Sequence, residues 1–166
     1  MKKIVYFGLL FILFSFSELK SDSSTHQDSL GNHLWYIEMS GKNIFLASFN
    51  YEYIFAKNEF LFDDVSLKAG IGGLFIVAFL RFEFPVTINF IIGKKHCFET
   101  GIGVSFDYVP ESFKYEYPSQ VVKFRGSIGY RFINDKGLIF RADIIPIYFA
   151  GSGLNVFYGI SFGHYF

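Results

Sequence analysis

From residue 34 onward, apolar and polar residues alternate at period two, and no helical period of 3.6 is sustained. The last segment shows the pattern most plainly. Val156, Tyr158, Ile160, Phe162 and Phe166 fall on one face, and Gly159, Ser161, Gly163 and Tyr165 on the other. Successive side chains of a strand point to opposite faces, so this segment predicts a strand with one large apolar side and one small or polar side. An alternating run that closes on an aromatic residue reads as the final strand of an outer-membrane β-barrel, and the outward series Tyr158, Ile160, Phe162 and Phe166 as its C-terminal insertion signal.

Seven more runs precede it. The first is short, Leu34 to Met39, with Glu38 on its polar face. The second sets Phe45, Ala47, Phe49, Tyr51, Tyr53 and Phe55 against Ser48, Asn50 and Glu52. The third sets Val65, Leu67, Ala69 and Ile71 against Ser66, Lys68, Gly70 and Gly72. The fourth sets Phe82, Phe84, Val86, Ile88 and Phe90 against Arg81, Glu83, Thr87 and Asn89. The fifth sets Phe98, Thr100, Ile102, Val104, Phe106 and Tyr108 against Cys97, Glu99, Gly101, Gly103, Ser105 and Asp107. The sixth sets Val122, Phe124, Gly126, Ile128, Tyr130 and Phe132 against Lys123, Arg125, Ser127, Gly129 and Arg131. The seventh sets Leu138, Phe140, Ala142, Ile144 and Tyr148 against Arg141 and Asp143, with Pro146 predicting a bulge or local break. Gly73 to Leu80 is apolar without alternation, and its turn has no clear position.

Eight strands of this length predict an all-β fold, an up-and-down antiparallel transmembrane barrel. Gly93–Lys95 and Asn134–Gly137 are tight and polar. Val109 to Gln120 is longer and carries two prolines, with Phe113, Tyr115, Glu116 and Tyr117 offering a contact surface. Short turns face the periplasm and long loops face outward in this class. Both termini are then periplasmic, Ser40 to Asn43 is a short outer loop, and Ala56 to Asp64 a longer periplasmic turn.

Before the barrel, Lys2 and Lys3 precede an apolar stretch, Ile4 to Phe14, too short to span a bilayer comfortably. With Ser15-Phe16-Ser17 behind it, this reads as a signal peptide over 1–17. An uncleaved anchor helix is the alternative. Residues 18–33 are polar and aperiodic and read as a flexible periplasmic arm, with the barrel over 34–166.

A soluble lipocalin-like barrel competes with the membrane reading, because it has the same alternation turned inside out. Composition decides between them. Aromatics make up 22% of the chain, with 24 Phe and 11 Tyr, and charged residues only 18%. The polar faces are rich in Gly and Ser, which suits a crowded eight-stranded lumen better than a water-exposed surface. They also balance: six cations (Lys68, Arg81, Lys123, Arg125, Arg131, Arg141) and six anions (Glu38, Glu52, Glu83, Glu99, Asp107, Asp143). An unpaired charge in a narrow interior is costly, so parity predicts ion pairs: Arg125 and Arg131 toward Glu99 or Asp107, and Arg141 toward Asp143. The formal net charge is zero, without the basic excess of a nucleic-acid binder.

The residues also resemble a known group. The stretches LWYIEMSGKNIFLASFNYEY from Leu34, IIGKKHCFETGIG, IGYRF and the terminal GISFGHYF are similar to small outer-membrane β-barrel proteins abundant in Bacteroidetes. The resemblance covers nearly all of the chain after the signal peptide. It implies fold and location, and brings no catalytic residues. His164 departs from the pattern, lying in an outward series that favours apolar side chains.

No constellation predicts catalysis. A hydrolase wants Ser, His and a carboxylate within reach of one another. His26 lies in the arm, His33 borders the first strand, His96 abuts a turn and His164 faces outward; none shares a mid-strand face with Ser48, Ser105, Ser127 or Ser161. His96 and Cys97 point to opposite faces, which speaks against a metal site. Gly70-Ile71-Gly72-Gly73 has no helix after it to bind phosphate. The single cysteine, Cys97, has no disulfide partner and reads as a buried packing residue. The expectation is thus no cofactor, metal or catalytic residue. The expected role is structural or surface-contacting, with membrane lipid and, during biogenesis, the barrel-assembly machinery as partners. A narrow channel for ions or small solutes and a lipid-modifying enzyme are the alternatives. Oligomeric state is not readable from the chain.

Overall fold

The computed structural model describes residues 31–41, 46–57, 61–74, 82–108, 122–149 and 153–166. They form eight strands: β1 (His33–Gly41), β2 (Leu46–Lys57), β3 (Asp64–Leu74), β4 (Phe82–Ile92), β5 (His96–Tyr108), β6 (Val122–Ile133), β7 (Leu138–Phe149) and β8 (Gly153–Tyr165). Each pairs antiparallel with its sequence neighbour, and β1 also pairs with β8, so the sheet closes on itself. Closure leaves no strand with a free edge, which hydrocarbon demands.

The two faces separate as the alternation predicts. Large apolar side chains stand exposed on the outside, among them Ile102 (66%), Phe124 (65%) and Tyr158 (62%). The charged and small side chains point inward. A soluble protein rarely exposes so continuous an apolar surface, so this exterior is suited to lipid.

Aromatic rings gather outside the end where the tight turns and both described chain ends meet. His33 lies opposite Tyr53, and its Nδ1 is 2.5 Å from the Tyr51 hydroxyl. His96 repeats the arrangement on the far wall, opposite Phe132 with Nδ1 2.5 Å from the Tyr130 hydroxyl. Amphipathic rings at this level are what a membrane interface favours. The turns themselves are tight. Gly93 (φ 108°) and Gly137 (φ 79°) adopt the left-handed conformation that glycine accepts without strain. Asn134 Oδ1 accepts from the Lys136 and Leu138 amides at 2.9 and 2.8 Å.

Several boundaries differ from the sequence reading. β1 runs from His33 to Gly41, longer at both ends than Leu34–Met39. Asn32 and His33, assigned above to the flexible arm, accept backbone hydrogen bonds from Ile54 and Phe166. Small and polar residues there gave alternation nothing to register. β2 extends to Lys57, so the link to β3 is shorter than Ala56–Asp64. A bulge between Ile54 and Ala56 interrupts period two, so the alternation in the sequence stops short of the strand's end. Ser40 belongs to β1 and not to a loop.

The two strand prolines each interrupt one ladder. β6–β7 pairing stops at Arg125↔Ile147 and resumes at Ile128↔Ile144, while Pro146 still pairs with Val156 of β8. Likewise β3–β4 pairing skips from Ala69↔Val86 to Gly72↔Glu83, and Pro85 keeps Ser105 of β5. Each ring has lost the donor for one neighbour only. The expected signal peptide, arm residues 18–30, Phe45, most of Gly73–Leu80, Arg81 and the Val109–Gln120 loop lie outside the described residues.

Candidate functional site in the barrel lumen

Counted from the turn end, the inward positions of the strands form layers. The first is apolar: Leu34, Ile54, Ile91, Cys97, Ile133, Ile139 and Tyr165, from seven strands, with Tyr36 reaching the same cluster from the next layer. β3 contributes Asp64 at this level, also buried. The Cys97 thiol donates to the Lys94 carbonyl at 3.3 Å. Cys97 is the buried packing residue that the sequence predicts, but the floor as a layer is not legible there, because an isolated Ile beside a turn carries no pattern.

The second layer is ionic. Arg131 and Arg141 stand directly opposite each other on β6 and β7. Arg131 Nε donates to Glu99 at 2.8 Å and its Nη2 donates to both oxygens of Glu52 at 2.8 and 2.9 Å. Arg141 Nη2 donates to the other Glu99 oxygen at 2.5 Å. All four side chains are fully buried. Around them, Ser66 donates to Glu52, Tyr165 lies 3.3 Å from Arg131 Nη1, and the Arg141 guanidinium sits 4.7 Å from the centre of the Tyr36 ring. Two cations alternate with two carboxylates, so each buried charge has opposite charge on two sides.

A third group lies next to it. Glu38 accepts from Lys68 at 3.3 Å and from Arg125 at 2.6 Å. Asp143 lies 3.4 Å from Arg141 and extends the quartet, and the Tyr36 ring lies between the two groups, 5.7 Å from Lys68 Nζ and 4.7 Å from the Arg141 guanidinium. At the loop end Lys123 meets Asp107 at 2.7 Å and Glu83 at 3.9 Å, and Arg125 lies 3.8 Å from Glu83. Glu83 and Asp107 are directly paired across β4 and β5, a like-charge juxtaposition that Lys123 offsets.

Arg125 corrects one expectation. It crosses the lumen to Glu38 of β1 and does not reach Glu99 or Asp107. The physical reason is competition: Lys123 occupies Asp107, and the two other arginines occupy Glu99. Of the luminal charges read from sequence, Glu38, Glu52, Lys68, Glu83, Glu99, Asp107, Lys123, Arg125, Arg131, Arg141 and Asp143 all lie in this chain of contacts, and Arg81 lies outside the described residues. Asp64, Tyr36 and Tyr165 were not singled out; no pattern in the chain distinguishes their roles from ordinary packing.

No catalytic geometry emerges among the described residues. His33, His96 and His164 lie on the outward series, while Ser105, Ser127 and Ser161 are buried inward. No group of three or more His, Cys, Asp or Glu side chains among them could hold a metal ion. Tyr158, Ile160, Phe162 and Phe166 are all exposed on the outer surface of β8 and the residue after it.

No protein-family model and no curated protein matches the chain. Two solved structures are similar. The N-terminal β-barrel domain of Pseudomonas aeruginosa OprF matches with a TM-score of 0.63 at 14% identity, over 83% of this chain and 100% of that one. The Yersinia pestis outer membrane protein Ail, determined in a phospholipid bilayer nanodisc, matches with a TM-score of 0.54 at 12% identity, over 82% and 99%. At such identities the likeness is one of fold. The chain has the closed eight-stranded antiparallel barrel fold that these two outer-membrane proteins share.

Proposed function

We propose that the chain is an integral outer-membrane barrel with a structural or surface-contact role, its lumen closed to solutes by side chains. Both termini face the periplasm, and the ends of β5 and β6 at Tyr108 and Val122 face outward. The observation that carries the reading is the interior. Glu38, Glu52, Lys68, Glu99, Arg131 and Arg141 are at most 1% exposed, and an apolar floor lies beneath them. A conducting pore needs a continuous wet path, whereas paired charges held away from water are costly to separate. The inverted surface, apolar outside and charged inside, supports membrane residence, and the short turns at the terminal end support the orientation. The outward series of β8 supports delivery by the barrel-assembly machinery.

The test is conductance of the purified barrel in planar bilayers. Rare or no openings are expected from the wild type. A large steady conductance would overturn the closed-lumen reading in favour of the narrow channel.

A further inference from the structure

The polar groups of the lumen are not spread evenly around its wall. On β5 the three inward positions beyond Glu99 carry no side chain larger than serine: Gly101, Gly103 and Ser105. The neighbouring strands place polar groups along this strip. Asn89 of β4 and Ser127 of β6 stand opposite Gly101 on its two sides, and Thr87 and Arg125 do the same at Gly103. A Cβ on Gly101 would lie 2.3 Å from Asn89 Oδ1 and 2.6 Å from Ser127 Oγ, so both side chains lean over the glycine. Thr87, Asn89, Ser105 and Ser127 are at most 3% exposed. Their polar atoms (Thr87 Oγ1, Asn89 Oδ1 and Nδ2, Ser105 Oγ, Ser127 Oγ) and Arg125 Nε nevertheless have no hydrogen-bond partner among the described residues. A buried amide or hydroxyl without a partner is costly, and native proteins rarely leave one so. Unmet polar atoms gathered on three adjacent strands, beside two glycines that leave room, point to a ligand.

We propose that this strip binds ordered water, as a short file that starts between Asn89 and Ser127 and passes Thr87 toward Arg125 Nε. The chemistry of the wall selects water over an ion. Asn89 and the hydroxyls set donors and acceptors side by side, and water both donates and accepts. A cation would leave Asn89 Nδ2 and Arg125 Nε unmet, and an anion would face Asn89 Oδ1. The nearest luminal charges are also engaged with one another, Lys68 and Arg125 on Glu38. A buried water makes about three hydrogen bonds, which Asn89, Ser127 and Thr87 can supply together. Ile91, the next inward residue of β4, belongs to the apolar floor. The file ends there and makes no path through the barrel. The site rests on the burial of these groups, and not on the role or orientation proposed above.

The experiment is a crystal structure of the wild-type barrel at a resolution that shows single waters, from crystals soaked in bromide. Water density within hydrogen-bond distance of both Asn89 and Ser127 is expected. A direct Asn89–Ser127 hydrogen bond, a site without density or an anomalous bromide peak there overturns the proposal. Asn89→Leu gives a second measurement, because the two side chains are of similar size. If Asn89 is bonded to water, the change removes those bonds and leaves Ser127 unmet, so the urea midpoint of the barrel in vesicles falls. If Asn89 has no partner, an apolar replacement removes a buried cost and the midpoint rises. A midpoint equal to or above that of wild type therefore also overturns the proposal. Where the variant does not fold, the wild-type density decides alone.

Discussion

Arg131 and Arg141 face each other across β6 and β7, and their guanidinium groups bind the two oxygens of one carboxylate, Glu99, at 2.8 and 2.5 Å. Like charges directly opposite on a sheet repel, so this pair of arginines is stable only with the carboxylates of Glu99 and Glu52 between them. Removing Glu99 leaves Arg131 with Glu52 alone and Arg141 with the more distant Asp143 and Glu52, at 3.4 and 3.9 Å. Glu99→Ala should destabilise the barrel by about 3–5 kcal/mol. Lys136→Ala, in an exposed turn, should stay within about 0.5 kcal/mol. Urea titration of the barrel folded in lipid vesicles measures both. Equal stability of the two variants would mean that water screens Glu99.

Glu38 is the hub of the adjoining group, since it holds both Lys68 and Arg125. Its loss takes the carboxylate from Lys68 and leaves Arg125 only Glu83 at 3.8 Å, whereas loss of Lys68 leaves Glu38 with Arg125 at 2.6 Å. Glu38→Ala should therefore cost more than Lys68→Ala, by on the order of 1–2 kcal/mol. The same titration reads the difference, and a larger loss in Lys68→Ala would show that Arg125 does not hold Glu38 in the membrane.

Alternation made the fold legible: it marks eight strands, their two faces and the closed all-β architecture. It does not say which inward residues meet. Register and lumen width bring Arg125 to Glu38, from strands far apart in the chain, and no local pattern encodes that distance. Boundaries failed where alternation failed. Gly31, Asn32 and His33 carry no apolar signal, and the extra residue at the β2 bulge shifts every later side chain to the other face. The apolar floor was obscured for a related reason. Ile54, Ile91, Ile133 and Ile139 break the polar series of their strands, and their common purpose shows only when seven strand ends are brought together.

Cys97 lies in that floor, fully buried. A bulky thiol reagent should label it slowly in the folded barrel and completely after denaturation. Local opening of the turn end is the route to reaction, so the labelling rate reports how firmly the floor is packed. Rapid labelling of folded protein in detergent would mean that the turn-end mouth is open.

Gly103 of β5 lies directly opposite Thr87 of β4. A Cβ added there would lie 2.0 Å from the Val86 carbonyl oxygen and 2.6 Å from Thr87 Cα. Both obstacles are backbone, so relief requires the strands to separate. Gly103→Ala should cost about 1–3 kcal/mol through overcrowding. Gly153→Ala is an instructive contrast. A Cβ there meets nothing within 4 Å, and the cost comes from its φ of 78° alone. A fold-stability measurement in which Gly103→Ala equals wild type would show that the lumen wall yields at this point.

The last strand allows the membrane assignment to be tested by depth. Ile160 lies near the middle of β8 and Leu154 near its loop end, and both are exposed on the outer surface. If hydrocarbon covers this face, a basic side chain at Ile160 must be dragged into the bilayer core, at about 2–4 kcal/mol, while one at Leu154 reaches the interface at about 0–1 kcal/mol. Ile160→Arg should therefore lower folding stability in vesicles well beyond Leu154→Arg. It should also lower outer-membrane yield in cells, as should Phe162→Asp or removal of Phe166, which alter the proposed insertion signal. A water-facing exterior predicts the opposite pattern, with both arginines tolerated alike. Equal, small costs at the two positions would overturn the membrane-spanning orientation of this strand, whatever the charge pairing inside the barrel.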